Sequence, residues 1–388
     1  MSVAIEVSQS ERSAALHMEL LPPTAWMELA PSWSELVRCS TQASFFVSEE
    51  WIGIWLQIFA LHLDVSIATF QSTDQLVGAC LLVRPAGRWS RVPLRRVYVN
   101  AAGEPDAATT YVEFNTLVCR PGWESAVAGR LAEHLKDEDW DEFLLNGFTP
   151  GASYEALKTA LGDYQIEEVW HPSCFVDLAQ LRSSAGVMED TLGRTTRKHL
   201  RQCQRSFAEL GPLHLDIAKD ADTAQAMFDE LAEFNRRRWS ARGRQVVFAS
   251  PLFIAFHRAL IRKCIQQGGV QLMRQMAGTH TVGYLYNLVF GKTVYFYQCG
   301  FNYSADKRLS PGTLAVTQAI QHCLDLGYDS FDFLSGDASY KQRLSTGSRR
   351  LVWATIRRPG IRNGLVQFAR GARRWLNGRV FAMRERHE

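Results

Sequence analysis

This 388-residue sequence has no long apolar run, no metal-ligand spacing and no excess of one charge, and each absence removes a class of function. No stretch approaches the ~20 consecutive apolar residues that a membrane-crossing helix needs. The eight cysteines (Cys39, Cys80, Cys119, Cys174, Cys203, Cys264, Cys299, Cys323) stand far apart, without a C-x-x-C pair or a Cys/His cluster. No metal site is therefore expected, and the thiols read as reduced and mostly buried, in a cytoplasmic protein. There is no nucleophile elbow and no Ser-His-Asp order, and the phosphate loop of nucleotide hydrolases is missing. The first residues carry Glu6, Glu11 and Arg12 without an apolar core, so no signal peptide is expected there. A net charge of +3 gives no global field that would demand a polyanionic partner.

What is present is a chain with 46% hydrophobic residues, enough for two domains with a core each. The most informative segment runs from Tyr295 to Lys341. The β-branched and aromatic run 294–299 reads as a strand. It leads through Asp306-Lys307-Arg308 to Ser310-Pro311-Gly312, where Ser suits a helix cap and Pro the first helical position. Apolar spacing predicts a helix to about 326, and Phe331-Asp332-Phe333-Leu334 then reads as a strand ending at Ser335-Gly336-Asp337. The free N–H groups of that helix start, beside Lys307 and Arg308, form a natural phosphate seat.

The same order of elements occurs earlier. A strand is predicted over 111–118, a turn at Arg120-Pro121-Gly122, a helix over 127–135 and a strand over 140–147. Gly122 lies 19 positions before Asp141, and Gly312 lies 17 before Asp329, so an internal duplication is expected. Asp332 of the later copy faces Leu144 of the earlier one, which marks the later copy as the chemically active one. In the later half the order of elements is β-α-α-β-β-β-α-β-α-β. Antiparallel strands followed by a helical crossover to a parallel strand predict a mixed sheet with helices on both faces.

That order resembles the GNAT superfamily of N-acetyltransferases, in tandem. Ser310-Pro311-Gly312, Phe331 to Gly336, Tyr340-Lys341, Arg238-Trp239-x-x-Arg242-Gly243, Arg197-Lys198-x-Leu200-Arg201 and the opening Phe45-Phe46-x-Ser48-x-Glu50-Trp51 are similar to a narrower family. It is the acetyltransferase-like family associated with bacterial cellulose and exopolysaccharide biosynthesis, itself similar to the Fem peptidyltransferases. The sequence departs from simple GNAT enzymes in lacking their Gln/Arg-x-x-Gly-x-Gly/Ala loop. The resemblance implies an α/β (α+β) fold of two GNAT-like domains, each a mixed, mostly antiparallel sheet flanked by helices. The expected organisation is a leader (1–40), a non-catalytic domain (41–180), a catalytic domain (187–358) and a basic amphipathic tail (359–388).

The implied activity is transfer of an acyl group, acetyl above all, from acetyl-CoA or another acyl-CoA to an amine or hydroxyl of a small-molecule, glycan or peptide acceptor. The donor phosphates are expected at Lys307, Arg308, Ser310, Gly312 and Thr313. Asp332 or Asp337 is the candidate base, and Tyr297 or Tyr340 the candidate acid. Arg238, Trp239 and Lys341 are candidate acceptor contacts. Each has a plainer reading: a capped helix, a salt-bridged Asp332, structural tyrosines, a solvated basic face. Arg194, Arg197, Arg201 and Arg205 recur at helical spacing, which suits CoA phosphate, anionic glycan or tRNA. Two alternatives stay open: an aminoacyl-tRNA donor as in Fem enzymes, or a non-catalytic adaptor of a glycan-synthesis complex. The tail could dock on the core or lie on the inner membrane as a peripheral contact.

Overall fold

A computed structural model describes residues 16–85, 94–184, 186–241, 247–304, 306, 308–336, 338–360 and 363–364. Its strands are β1 (His17–Leu21), β2 (Leu63–Ser72), β3 (Gln75–Pro85), β4 (Arg96–Val99), β5 (Val118–Cys119), β6 (Glu142–Phe148), β7 (Gln165–Asp177), β8 (Leu213–Ile217), β9 (Val270–Ala277), β10 (His280–Phe290), β11 (Thr293–Phe301), β12 (Ser330–Ser335) and β13 (Gly347–Arg357). They form one sheet in the order β1-β2-β3-β4-β6-β13-β7-β12-β11-β10-β9-β8, with β5 paired to β3. The expected mixed α/β architecture, a mostly antiparallel sheet flanked by helices, is present.

Each half contains one parallel pair bridged by a helix. β4 pairs β6 with Val97 opposite Phe143, and the helix Glu124–Asp137 lies between them in sequence. β11 pairs β12 with Val294 opposite Phe331, across the helix Pro311–Asp325. Phe143 and Phe331 therefore occupy matching places, as do Leu144 and Asp332. Of the strand expected at 111–118 only Val118 is in one, the short β5, because Tyr111 (φ 50°) and Phe114 (φ 49°) take left-handed backbone that cannot continue a strand. The earlier counterpart of β11 is β4 instead.

The halves exchange strands. β13 lies between β6 and β7 and pairs with both, while the far end of β7 pairs with β12. Two strands expected at 166–170 and 174–176 are thus one continuous β7, long enough to serve both halves. Val352, Ala354 and Ile356 alternate along β13 at 2% exposure or less and pack among the earlier half's core residues. The segment expected as a leader also contributes structure: β1 pairs with β2, and the helix Trp26–Cys39 buries Trp33 and Leu36 fully. The tail beyond 364 lies outside the described residues. No helix among the described residues is long and apolar enough to cross a membrane.

Candidate functional site

Two irregularities open the sheet of the later half. The parallel β11–β12 pairing stops after Tyr295 opposite Asp332, although both strands continue. Against β10, the register shifts so that Tyr286 faces Gln298 and Asn287 faces Phe296, which leaves Tyr297 as the extra residue of a bulge. The strands part beyond that point, and a cavity of about 390 Å³ fills the wedge. Phe296 to Cys299 form one wall and Phe333 to Ser335 the other. Asn235 and Trp239 come from the helix Ala221–Ser240, and Tyr340 and Lys341 from the helix Ser339–Leu344.

The earlier half closes the wedge with Tyr111 and Glu113. Sequence reasoning missed Glu113 because it was assigned to an ordinary strand. The available signal was a carboxylate inside an otherwise aromatic and apolar run. Its loop is held firmly. Asn115 donates to the carbonyls of Val99 (3.1 Å) and Asn146 (3.2 Å), and Asn100 donates to Asn115 Oδ1 (2.7 Å). A Cβ on Gly147 would stand 2.5 Å from the Val112 carbonyl oxygen, so only glycine lets the loop lie this close to β6. The Glu113 side chain reaches β12, where Oε2 accepts from the Ser335 N–H (2.6 Å) and Oε1 from the Ser335 hydroxyl (2.7 Å). Glu113 is 8% exposed. Burial pushes its pKa up to about 7 against the pull of the Ser335 hydrogen bonds and the Lys341 charge.

Lys341 donates to the carbonyls of Ser335 (2.6 Å) and Leu334 (3.1 Å), and burial lowers its pKa. Leu334 has φ 60°, a strained geometry for a branched side chain, at the β12 bulge that turns Ser335 toward Glu113. Tyr340 lines the wedge, and its hydroxyl makes no hydrogen bond to a described residue. Burial raises its pKa. The Cys299 thiol beside it is raised to about 11 by burial.

Asp332 is not part of the wedge wall. It is fully buried, Oδ1 accepts from the Ser173 hydroxyl (2.7 Å) and the Leu334 N–H (2.8 Å), and Arg349 Nε lies 3.4 Å from Oδ2. Alternation did turn it away from the rings of Phe331 and Phe333, but toward β7 and β13 rather than toward a ligand. The plainer reading paired this carboxyl with Lys341 or Arg343; its ion partner is Arg349 instead. Asp337 and Lys307 lie outside the described residues. Tyr297 lines the wedge, yet its hydroxyl donates to the Thr110 carbonyl and sits 3.2 Å from His257 Nε2. Committed in this way, it is poorly placed to protonate a leaving group. His257 is fully buried, and burial lowers its pKa to about 3, so it is neutral.

The phosphate seat is only partly as read. The helix does begin at Pro311, but the Ser310 hydroxyl pairs with Thr313 Oγ1 (2.9 Å) instead of capping a backbone N–H. A Cβ on Gly312 would meet the Phe301 ring at 3.2 Å, so this glycine is spent on packing. Arg308 is paired with Asp306 (2.8 Å). It also joins Arg194, Arg197, Lys198, Arg201 and Arg205 around a separate groove of about 720 Å³. The helix Arg194–Ala208 packs Cys203 and Phe207 against Leu314, which fixes this groove beside the helix start. The Arg238 guanidinium stacks over the rings of Tyr303 (4.2 Å) and Trp239 (5.5 Å), and of that pair Trp239 lines the wedge. No group of metal-ligating side chains occurs among the described residues.

Residues 194–342 match the acetyltransferase (GNAT) domain family. No curated protein matches the chain. Among solved structures, FemX is similar at 10% identity and a TM-score of 0.54, covering 87% of this chain and 98% of that one. L-PGS from Bacillus licheniformis is similar at 10% identity and a TM-score of 0.51, covering 88% and 96%. A protein of unknown function from Bacteroides thetaiotaomicron aligns at 10% identity and a TM-score of 0.50, covering 88% and 100%. At such identities the likeness is one of fold, and within it residues 194–342 carry the GNAT domain match.

Proposed function

We propose that this GNAT-fold chain is an N-acyltransferase whose catalytic wedge is built from residues 187–358 and completed by Glu113 of the earlier half. The observation that carries the reading is a buried carboxyl of near-neutral pKa and a tyrosine hydroxyl, unbonded to any described residue, lining one cavity between a parted pair of strands. The donor is an acyl thioester, acetyl-CoA or a longer acyl-CoA, lying in the wedge. The acceptor amine attacks the thioester carbonyl, a C–N bond forms and the C–S bond breaks. Glu113 takes the amine proton, Tyr340 supplies one to the departing thiolate, and a backbone N–H of the β11 bulge holds the oxyanion. The base is thus Glu113 rather than Asp332, and the acid Tyr340 rather than Tyr297. Trp239 and Lys341 line the wedge and are wall residues for the donor's acyl arm rather than acceptor contacts. A cell-envelope or exopolysaccharide acceptor is proposed from the family resemblance.

The basic groove is assigned to the donor phosphates. Arg205→Glu with Arg308→Glu is expected to weaken acetyl-CoA binding about tenfold or more, with little change in kcat at saturation, as read by calorimetry and steady-state kinetics. The groove's six cationic residues also favour a second reading, an aminoacyl-tRNA donor. Titration with acetyl-CoA, longer acyl-CoAs and charged tRNA separates the two. Tight, salt-dependent tRNA binding without thioester binding would replace the first reading with the second. Binding of neither would leave the adaptor reading.

A further inference from the structure

Glu113 faces two cavities. Tyr111, Glu113 and Ser335 line the wedge and also a second cavity of about 230 Å³. Apart from Ser335 and Trp353, the second cavity is walled by the earlier half. A ligand there would reach Glu113 from a second cavity, so the two substrates of a transfer reaction could meet at this carboxyl.

The chemistry of the second cavity is the reverse of that of the basic groove. Its described wall holds no Lys, Arg or His but three carboxyl residues, Glu104, Asp106 and Glu113, and three aromatic rings, Tyr98, Tyr111 and Trp353. The carboxyls are not equivalent. Glu104 Oε1 is occupied by the Thr110 N–H (2.6 Å) and hydroxyl (2.8 Å). Asp106 is exposed at the cavity mouth, on a short helical turn, and its side chain accepts no hydrogen bond from a described residue. Each Glu113 oxygen accepts one bond from Ser335 and keeps a second lone pair. Arg96, which interacts with Tyr98, is also bonded to Glu142 (2.9 Å) and does not line the cavity. Carboxylates set among ring faces attract an ammonium group twice, by charge and through the ring quadrupoles. An anionic ligand would find no cationic side chain in the described wall.

We infer that this second cavity is the acceptor site and that it selects an acceptor carrying a cationic amino group in addition to the nitrogen that is acylated. The inference rests on the acyltransfer reading of Glu113. In it, Asp106 holds the far ammonium, the rings of Tyr98 and Trp353 flank the chain, and the near nitrogen reaches Glu113. Asp106 is a specificity residue at the mouth and takes no part in the chemistry.

The test is equilibrium binding of 1,4-diaminobutane, 1-butylamine and 1,4-butanediol to the full chain by calorimetry, without donor. The diamine is expected to bind about tenfold or more tighter than the diol, with the monoamine between. Asp106→Asn should remove most of that preference and Asp106→Glu should retain it, with acetyl-CoA binding unchanged in both. Equal binding of diamine and diol, or an Asp106→Asn variant that keeps the preference, overturns the inference. It falls alone if acetyl-CoA binds and neutral amines are acylated as well as cationic ones. If the diamine binds as described but no thioester binds and no acyl transfer occurs, the acyltransfer reading falls and the cation site stands.

Discussion

Glu113→Gln is expected to lower kcat by about 10²- to 10⁴-fold, the usual worth of a positioned base, while acetyl-CoA affinity stays within a few-fold of the parent. Gln is close in shape, its amide oxygen can still accept from the Ser335 N–H and its NH2 can donate to the Ser335 hydroxyl, so the loop pinned by Asn100, Asn115 and Gly147 has no reason to move. The pH dependence has a definite sign. A base is active when ionised, so kcat/KM should rise with pH and level off above about 7, where burial has pushed the Glu113 carboxyl. The same shift costs stability. The folded-state pKa is raised above the ordinary value of 4.5, so the folded protein binds the extra proton between 4.5 and about 7. Stability is therefore fully present below 4.5 and declines as pH rises toward 7, by about 3 kcal/mol in all from a shift of this size. Glu113→Gln should abolish that decline. A variant that is nearly inactive, more stable than the parent at pH 8 and unchanged in donor binding is what a strained, functional carboxyl predicts. Full activity in Glu113→Gln would remove the carboxyl from the chemistry.

Much of the fold was legible in the sequence because it depends on local periodicity. The helix starting at Pro311, the hairpin of β9 and β10, and the parallel β11–β12 pair all follow from apolar spacing and turn residues. The exchange of β7 and β13 was not legible. The pattern of a strand shows which face is buried, but not which of two similar sheets supplies its neighbour. The site suffered from the same limit. Asp332 stood out because it interrupts an aromatic strand, yet the alternation that turned it away from those rings delivered it to Ser173 and Arg349, residues 159 and 17 positions away. Glu113 reaches the wedge through left-handed backbone at Tyr111 and Phe114, which no propensity would assign to those residues. Cavities at a junction of halves are built by tertiary approach, and the sequence shows their walls only one at a time.

The buried Asp332 gives the second large effect, and it is one of stability. Its Oδ1 joins β12 to β7 through Ser173 and satisfies the Leu334 N–H, so it fastens the later half's sheet to the strand that both halves share. Asp332→Ala leaves a buried hydroxyl and a buried N–H without their acceptor and removes the carboxylate partner of Arg349. A loss of about 3 kcal/mol is expected from the two orphaned donors, with little added by Arg349, which is 42% exposed and can turn to water. For a chain of this size that is a drop of several degrees in Tm. Asp332→Asn should recover part of the loss, since its amide oxygen can still accept from Ser173 and Leu334. The discriminating measurement is kcat per folded molecule, at a temperature where the variant is fully folded. A structural Asp332 leaves it within a few-fold of the parent in both variants, whereas a base at this position would lose about 10²-fold or more even in the stable Asn form. The contrast with Glu113 is then complete in both directions: one carboxyl whose removal stabilises and inactivates, and a second whose removal destabilises and spares the chemistry. Both contribute to one geometry, because the Asp332 bond to the Leu334 N–H supports the left-handed turn that aims Ser335 at Glu113.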